Sequence, residues 1–400
     1  MHRATIANSE PDRANRLTKM VKLTLAIAAG LSVANIYYAQ PLLDALARDF
    51  GMSPASVGIV VTLTQIGYGL GLIFVVPLGD LVAPRRLILI QGALSIIALV
   101  GVATARTEAI LLASLATMGL LAVVVQVLVA LAATLATPAQ RGNAVGTVTS
   151  GIVIGILGAR FVAGLLADVG GWRTVYLTSA LFTAAVLALL MRVLPRQDAP
   201  VNREGYTAVL RSIPVLFLSD HVLFVRGILA FLIFAAFSTF WTALVLPLSA
   251  SPFSYSHTQI GAFGLVGLLA ASAATVAGKL ADRGFGQSVT GISLAVLLIS
   301  WLPISFLPRS VPLLLVGVIL LDLAVQAVHV TNQSIILDRH PQARNRLIGG
   351  YMVFYSFGSA IGAVASTMAY ALAGWQGVVT LGAGFSVLAL LIWASTRHSP

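Results

Sequence analysis

The sequence predicts an all-α membrane protein with twelve transmembrane helices in two pseudo-symmetric six-helix bundles. Of its 400 residues, 58% are hydrophobic and 9% are charged, whereas soluble domains have about 45–50% apolar and about 25% charged residues. The apolar residues also form twelve segments near the length of about 20 residues that crosses a bilayer. This pattern excludes a soluble enzyme, a disordered chain and a nucleic-acid-binding domain.

The segments follow one another in two groups of six. Residues 1–20 are too polar for the apolar core of a signal peptide, so we expect a cytoplasmic tail and a retained first span. A polar linker at 194–222 separates the N-terminal bundle (21–193) from the C-terminal bundle (223–396), and 397–400 form a cytoplasmic end. The predicted spans 1 to 12 are 23–43, 56–78, 87–105, 110–136, 144–167, 174–193, 224–248, 258–278, 289–307, 311–336, 347–371 and 377–395.

The basic residues predict the orientation of these spans. With the N-terminus inside, 19 of the 24 Lys and Arg residues fall on the cytoplasmic side, including Arg226 beside the linker. Arg160 falls within span 5. The positive-inside rule therefore places both termini in the cytoplasm and accounts for the net charge of +11 without a nucleic-acid partner. The four basic residues on the outer side are Arg48, Arg106, Arg173 and Arg309.

The two halves repeat each other. Gly171-Trp172 recurs as Gly374-Trp375 at an offset of 203, and MSPASVG (52–58) matches YSHTQIG (255–261) at the same offset. Asp80 and Asp282 are offset by 202. Three landmarks at nearly one spacing predict two homologous halves of parallel topology, which is a transporter architecture.

The loop motifs identify a family. GKLADRGFG (278–286) resembles the loop signature G-x-L-A-D-R-x-G of the major facilitator superfamily, and VPLGDLVAPRR (76–86) is a degenerate first-half copy. GIVIGILGARFVAG (151–164) is similar to the glycine-rich signature of the drug:proton antiporter and sugar-efflux-like subgroup, although Arg160 interrupts it. The arginine of that subgroup's span 4 is absent from SLATMGLL (114–121).

Two ionisable residues inside predicted spans are functional candidates, because charges in hydrocarbon are costly. Asp322 in span 10 and Arg160 in span 5 both lie slightly outward of the span midpoints. The resemblance implies that span 5 packs near spans 8 and 10, so we expect these residues to approach as an ion pair. An Asp322 that is alternately hydrated and paired could load and release a proton. The alternatives are a static pair that holds the halves together, or an exposed Asp322.

Span 10 also carries a polar face. Asp322, Gln326 and His329 follow i, i+4 and i+7, with Asn332 alongside, and such residues share one side of a helix. Lipid would not tolerate this face, so we expect it to meet the central cavity or another helix. His329 could titrate near neutral pH and take part in proton coupling, or it could be a neutral hydrogen-bonding residue.

The predicted substrate contacts follow from the resemblance, which implies that spans 1, 4, 7 and 10 line the cavity. The alternative for each residue is ordinary hydrogen bonding between helices. The candidates are Asn35, Tyr38, Gln65, Tyr68, Gln126, Trp241, Gln326 and Asn332, together with Asp322.

The loops between spans 2 and 3 and between spans 8 and 9 each carry an acid beside arginines. Asp80 with Arg85 and Arg86, and Asp282 with Arg283, could form ion pairs and oppose the positive end of a neighbouring helix. The resemblance implies that this latch favours an outward-facing state. The alternative is a set of solvated charges that only sets the topology.

These observations predict a secondary active transporter, not an enzyme, that moves a small organic solute by alternating access, with proton-coupled efflux as the first hypothesis. The alternatives are proton-coupled uptake or facilitated diffusion of a sugar- or nucleoside-like solute, and a non-transporting membrane sensor. No phosphate-binding G-x-x-x-x-G-K-[ST] motif and no metal-ligand spacing are present. We therefore expect no cofactor, a proton gradient as the energy source, and a monomer in a bacterial inner membrane.

Overall fold

The computed structural model describes residues 17–137, 140–195, 205–267, 276–339 and 344–397. Within these ranges every regular element is helical, which confirms the predicted fold class. In the described part of the chain, ten helices are long and apolar enough to cross a membrane. One of them bends into two spans, and a further span begins at His257, so the described residues account for twelve.

The helix ends of the first six spans lie within four residues of the predicted ones, except that span 1 continues to Phe50. Span 1 is interrupted by a 3₁₀ turn at Gln40–Leu42, which contains Pro41, and span 4 is interrupted after Leu121. Their helices are Lys19–Tyr37 with Leu43–Phe50, Ile59–Phe74, Pro84–Ala103, Glu108–Leu121 with Val124–Leu135, Arg141–Gly170, and Trp172–Val193.

The last six spans repeat this order. Span 8 begins after a capping box in which Ser256 and Gln259 bond each other's backbone N–H groups. Their helices are His221–Ala243 with Val245–Ser249, His257–Val266 continued at 276–280, Gly286–Ser305, Val311–Arg339, and Arg344–Thr396, which holds spans 11 and 12.

The repeated Gly-Trp pairs form equivalent turns. Gly171 has φ 78° between spans 5 and 6, and Gly374 has φ 59° between spans 11 and 12. These left-handed conformations favour glycine because a side chain would be strained there. The indole N–H of Trp172 donates to Asp49 Oδ2, and that of Trp375 donates to the carbonyl of Ile304. Each turn is thereby fixed to its own half.

The two halves meet along spans 2 and 11 and along spans 5 and 8. Because the number of spans is even, both described chain ends lie at one face, called here the terminal face, and the opposite one is called the far face. Thr367 Oγ1 donates to the carbonyl of Ala55 near the far face, and Thr62 Oγ1 donates to the carbonyl of Ala360 further in. The hydrogen bonds between the halves thus join the far face and the middle of the bundle.

Two features were not predicted from the sequence. The linker contains a helix, Tyr206–Ser219, whose Tyr206 hydroxyl donates to the carbonyl of Phe74 at 2.7 Å; residues 196–204 lie outside the described part. Arg226, counted among the cytoplasmic charges, is instead buried, with 3% of its surface exposed. It lies one and a half turns into span 7, where Thr290 and Asn332 accept its hydrogen bonds.

Candidate functional site

Arg160 occupies the middle of the bundle, between the two halves. Its Nε donates to Gln40 Oε1 at 2.8 Å, and its buried Nη2 has no hydrogen-bond partner among the described residues. The guanidinium carbon lies 4.1 Å from the ring centre of Trp241 and 5.0 Å from that of Tyr37. A cation over aromatic faces gains electrostatic stabilisation when it is desolvated.

Asp322 contacts the same indole at its ring N–H. Trp241 Nε1 donates to Asp322 Oδ1 at 3.2 Å, and both residues are at least 95% buried. The predicted direct ion pair is not formed: among the described residues no ion pair joins Arg160 to Asp322. Instead, the two charges belong to different halves and both contact the Trp241 indole.

Backbone features set the positions of these side chains. The break in span 1 at Pro41 leaves Gln40 facing Arg160. Span 8 approaches closely because it carries glycines: a Cβ atom at Gly267 would lie 2.7 Å from Asp322 Oδ2. The sequence therefore brings span 8 against both charges through the absence of a side chain.

Aromatic residues complete the centre. The hydroxyls of Tyr37 and Tyr355 are hydrogen-bonded across the two halves, and Phe234 packs edge-on against Tyr355 with ring centres 4.0 Å apart. Gln126 Nε2 lies 3.5 Å from the Tyr68 hydroxyl, and the Tyr68 ring contacts that of Tyr355. The predicted residues Tyr68, Gln126 and Trp241 thus lie together at the interface.

A small cavity adjoins Arg160 and Trp241. It is bounded by Gln40 and Pro41 from span 1 and by Ile260 from span 8. The described residues contain no group of His, Asp and Glu side chains that could hold a metal ion. The arrangement therefore offers one carboxyl group, one guanidinium cation and an aromatic surface for binding.

Other predicted substrate residues lie elsewhere. Asn35 Oδ1 accepts a 2.7 Å hydrogen bond from Ser179 within the first half, and Tyr38 packs on Tyr176 there. Asn35 and Tyr38 therefore make contacts between helices of one bundle, which was the alternative to a role in substrate binding. Gln65 is buried, and within the described ranges its Oε1 has no hydrogen-bond partner. Its backbone carbonyl accepts a hydrogen bond from Ser356 across the halves.

The polar face of span 10 divides between two environments. Only Asp322 reaches the Arg160 region, whereas Asn332 binds Arg226 inside the second half. His329 bonds the Tyr351 hydroxyl at 3.1 Å and packs edge-on against Phe234, and Gln326 is half-buried beside it on the same helix.

The loop residues form no described latch. The side chains of Asp80 and Asp282 lie outside the described part of the chain. Arg85 donates to the carbonyl of Met191 at 2.7 Å within the first half. Arg86 and Arg283 are exposed.

A cluster at the far face was not predicted. His257, the first residue of span 8, lies between two carboxylates of the first half: its Nε2 is 3.1 Å from Asp44 Oδ1 and its Nδ1 is 3.0 Å from Asp168 Oδ1. The Thr258 N–H and hydroxyl also donate to Asp168, at 2.8 and 2.6 Å. We call His257, Thr258, Asp44 and Asp168 the far-face clamp, since they tie spans 1 and 5 to span 8.

Sequence reasoning also missed Tyr37 and Tyr355. Tyr37 and Gln40 have the same i, i+3 spacing as Asn35 and Tyr38, so periodicity alone did not distinguish the two faces of span 1. The Pro41 break, which redirects Gln40, was the available signal. For the far-face clamp the signal in the sequence was weaker. MSPASVG and YSHTQIG mark equivalent span starts, but only the second contains a histidine.

Comparison with known proteins agrees with this architecture. The sequence model of the Major Facilitator Superfamily matches residues 25–283 and 226–400. The uncharacterized transporter YgaY of Escherichia coli K12 is 45% identical over 96% of this chain and 97% of its own length. The probable transporter SCO4007 of Streptomyces coelicolor is 32% identical over 94% of this chain and 86% of its own.

Among solved structures, one similar fold is a bacterial homolog of the human lysosomal transporter Spinster, in an inward-facing and occupied conformation. It superposes with a TM-score of 0.77 over 98% of each chain at 15% sequence identity. At this identity the likeness concerns the fold alone.

Proposed function

The chain belongs to the major facilitator superfamily, and we propose that it is a secondary active transporter that exports a small organic solute in exchange for protons. Membership makes it a membrane transporter and not an enzyme. Proton coupling, direction of transport and substrate class are our proposal, and the observation that carries them is the Arg160–Trp241–Asp322 arrangement between the halves.

The proposal starts from the charge balance at Asp322. Its direct partner, Trp241, is neutral, while the compensating charge of Arg160 belongs to the other half. A buried carboxylate without a nearby cation is far more costly than a paired one. When the far face is closed, as here, Arg160 stabilises the ionised form of Asp322.

Opening the far face would move the halves apart at this depth and remove Arg160. Asp322 would then take up a proton from the far side to avoid a buried, uncompensated charge. Closure would restore Arg160 and release the proton toward the terminal face. If the solute binds when the proton has left, each cycle exchanges one for the other. The surrounding aromatic rings favour a solute with an apolar or aromatic body.

Flux into proteoliposomes tests this proposal. For a solute that the wild type transports, an imposed pH gradient should drive accumulation, and Asp322→Asn should abolish that accumulation while solute exchange at equal pH continues. Asp49→Asn, which removes an acid bonded to Trp172 at the far face, should retain gradient-driven flux. Reconstituted protein must remain folded in each case, as monitored by thermal unfolding.

The other outcomes identify the alternatives. Equilibration that ignores the pH gradient would indicate facilitated diffusion, and accumulation in the direction of proton flow would indicate uptake by symport. Unchanged coupled transport in Asp322→Asn would refute Asp322 as the proton site.

A further inference from the structure

A groove opens between spans 7, 9 and 12 at the terminal face of the second half. His221 begins the span 7 helix, Gln287 is the second residue of the span 9 helix, and Thr396 ends span 12. The groove therefore lies where the ends of three spans meet, at the depth of lipid headgroups in a bilayer.

Arg226 lines this groove. The residue is 3% exposed, and its Nη1 donates to Thr290 Oγ1 and Asn332 Oδ1, each at 3.0 Å. Both acceptors are neutral, and no ion pair to Arg226 occurs among the residues that the structure describes. Since a buried cation is normally paired with an anion, the groove carries an uncompensated positive charge.

The mouth of the groove combines amide, indole and cationic groups. Trp393 Nε1 donates to Gln287 Oε1 at 3.2 Å, and the guanidinium carbon of Arg397 lies 5.6 Å from the centre of a Trp393 ring. Val222 and Val225 form an apolar wall. Tryptophan is enriched at the membrane–water interface, where apolar and polar surroundings meet.

One carboxylate lies close in sequence but is otherwise engaged. Asp220 precedes His221, and its Oδ1 accepts from the N–H of Val222 at 2.9 Å as the helix cap. Its Oδ2 accepts from Arg339 of span 10 at 3.0 Å. The charge of Asp220 is therefore balanced by Arg339, and that of Arg226 is not.

We propose that this groove binds the headgroup of an anionic phospholipid from the surrounding leaflet, with the phosphate against Arg226 and the acyl chains along Val222 and Val225. Basic pockets between transmembrane helices bind anionic headgroups in this way. The site is separate from Arg160 and Asp322 and does not depend on the proposed transport reaction.

Lipid binding to the full chain in detergent tests the proposal, by native mass spectrometry with phosphatidylglycerol and phosphatidylcholine of matched acyl chains. Wild type should bind phosphatidylglycerol about fivefold more tightly than phosphatidylcholine, because one arginine attracts a lipid of net negative charge, whereas the choline cation offsets the phosphate charge of phosphatidylcholine. Arg226→Gln should remove this preference. Arg192→Gln, which removes an exposed arginine at the end of span 6, should retain it.

A second variant covers the case in which Arg226→Gln does not fold. Thr396→Trp fills the mouth without altering any charge and should also abolish the preference for phosphatidylglycerol. Equal binding of the two lipids by wild type, or a preference that survives either groove variant, would overturn the proposal. The proposal would also be overturned if millimolar glycerol phosphate competed as effectively as the lipid, since the site would then bind a soluble anion.

Discussion

Trp241 contacts both central charges through different parts of its side chain. The ring face supports the Arg160 guanidinium, whereas the indole N–H donates to Asp322. A substitution can therefore remove one contact and keep much of the other. This makes Trp241 the residue at which the coupling between the halves can be tested with least disturbance to packing.

Trp241→Phe should reduce gradient-driven flux about tenfold or more, because a hydrogen bond to a charged group contributes about 1.5–3 kcal/mol. The phenyl ring retains an aromatic face toward Arg160. The measurement is solute accumulation in proteoliposomes at a fixed pH gradient, compared with exchange at equal pH, which should fall less.

Trp301→Phe is the matched control. Its indole donates to Ser386 at 3.0 Å inside the second half, away from the two charges. We expect it to lower the melting temperature and to leave the dependence of flux on the pH gradient intact. A Trp241→Phe protein with wild-type coupling would show that the indole N–H has no part in it.

Among the elements, spans 5 and 8 carry the contact that the far-face clamp secures. His257 faces Asp44 and Asp168. Asp44 is also paired with Arg48 at 2.9 Å, and Asp168 also accepts a hydrogen bond from Thr258. The hydrogen bond to Asp44, reinforced by that to Asp168, raises the pKa of His257 although partial burial acts in the opposite direction. The protonated imidazolium therefore stabilises the closed far face.

The sign of the pH dependence follows. Because the pKa of His257 is raised in the closed state, its contribution is complete below the ordinary value of about 6.5 and is lost as the pH rises through the raised value. We predict that alkaline pH opens the far face. The chain has no cysteine, so spin labels at Ser53→Cys and Ser251→Cys, exposed in loops of different halves, can report the distance.

His257→Gln should keep one hydrogen bond to the carboxylates and lose the charge. Its label distance should therefore stay constant over the pH range in which the wild-type distance increases. The same pH response in both proteins would mean that another group controls opening.

For the whole molecule, composition and repeats predicted the architecture because hydrophobicity and chain symmetry act over many residues. The offset of 203 between the Gly-Trp pairs corresponds to two glycines at positive φ in equivalent turns. The central arginine and aspartate were found because charged residues are rare inside predicted spans.

Contacts between specific side chains were not predictable in the same way. Tyr37 and Tyr38 are adjacent, and only the packing of span 1 decides that Tyr37 meets Tyr355 while Tyr38 meets Tyr176. Arg226 was assigned to the cytoplasm because it follows a polar linker, but the helix from His221 carries it inside. Side-chain environments depend on long-range packing, which neither periodicity nor charge placement contains.

Alternating access makes a demand on the whole molecule: the far face must open for transport. At the far face, the carbonyl of Ala55 in the first half accepts a 3.1 Å hydrogen bond from Thr367 Oγ1 in the second, which brings these two residues into contact across the halves. Oxidised Ala55→Cys/Thr367→Cys protein should lose solute flux and recover it on reduction. The single variants Ala55→Cys and Thr367→Cys cannot form this bond and should transport in both redox states. Transport by the oxidised cross-half variant, with the disulfide verified by mass spectrometry, would show that these halves need not separate there.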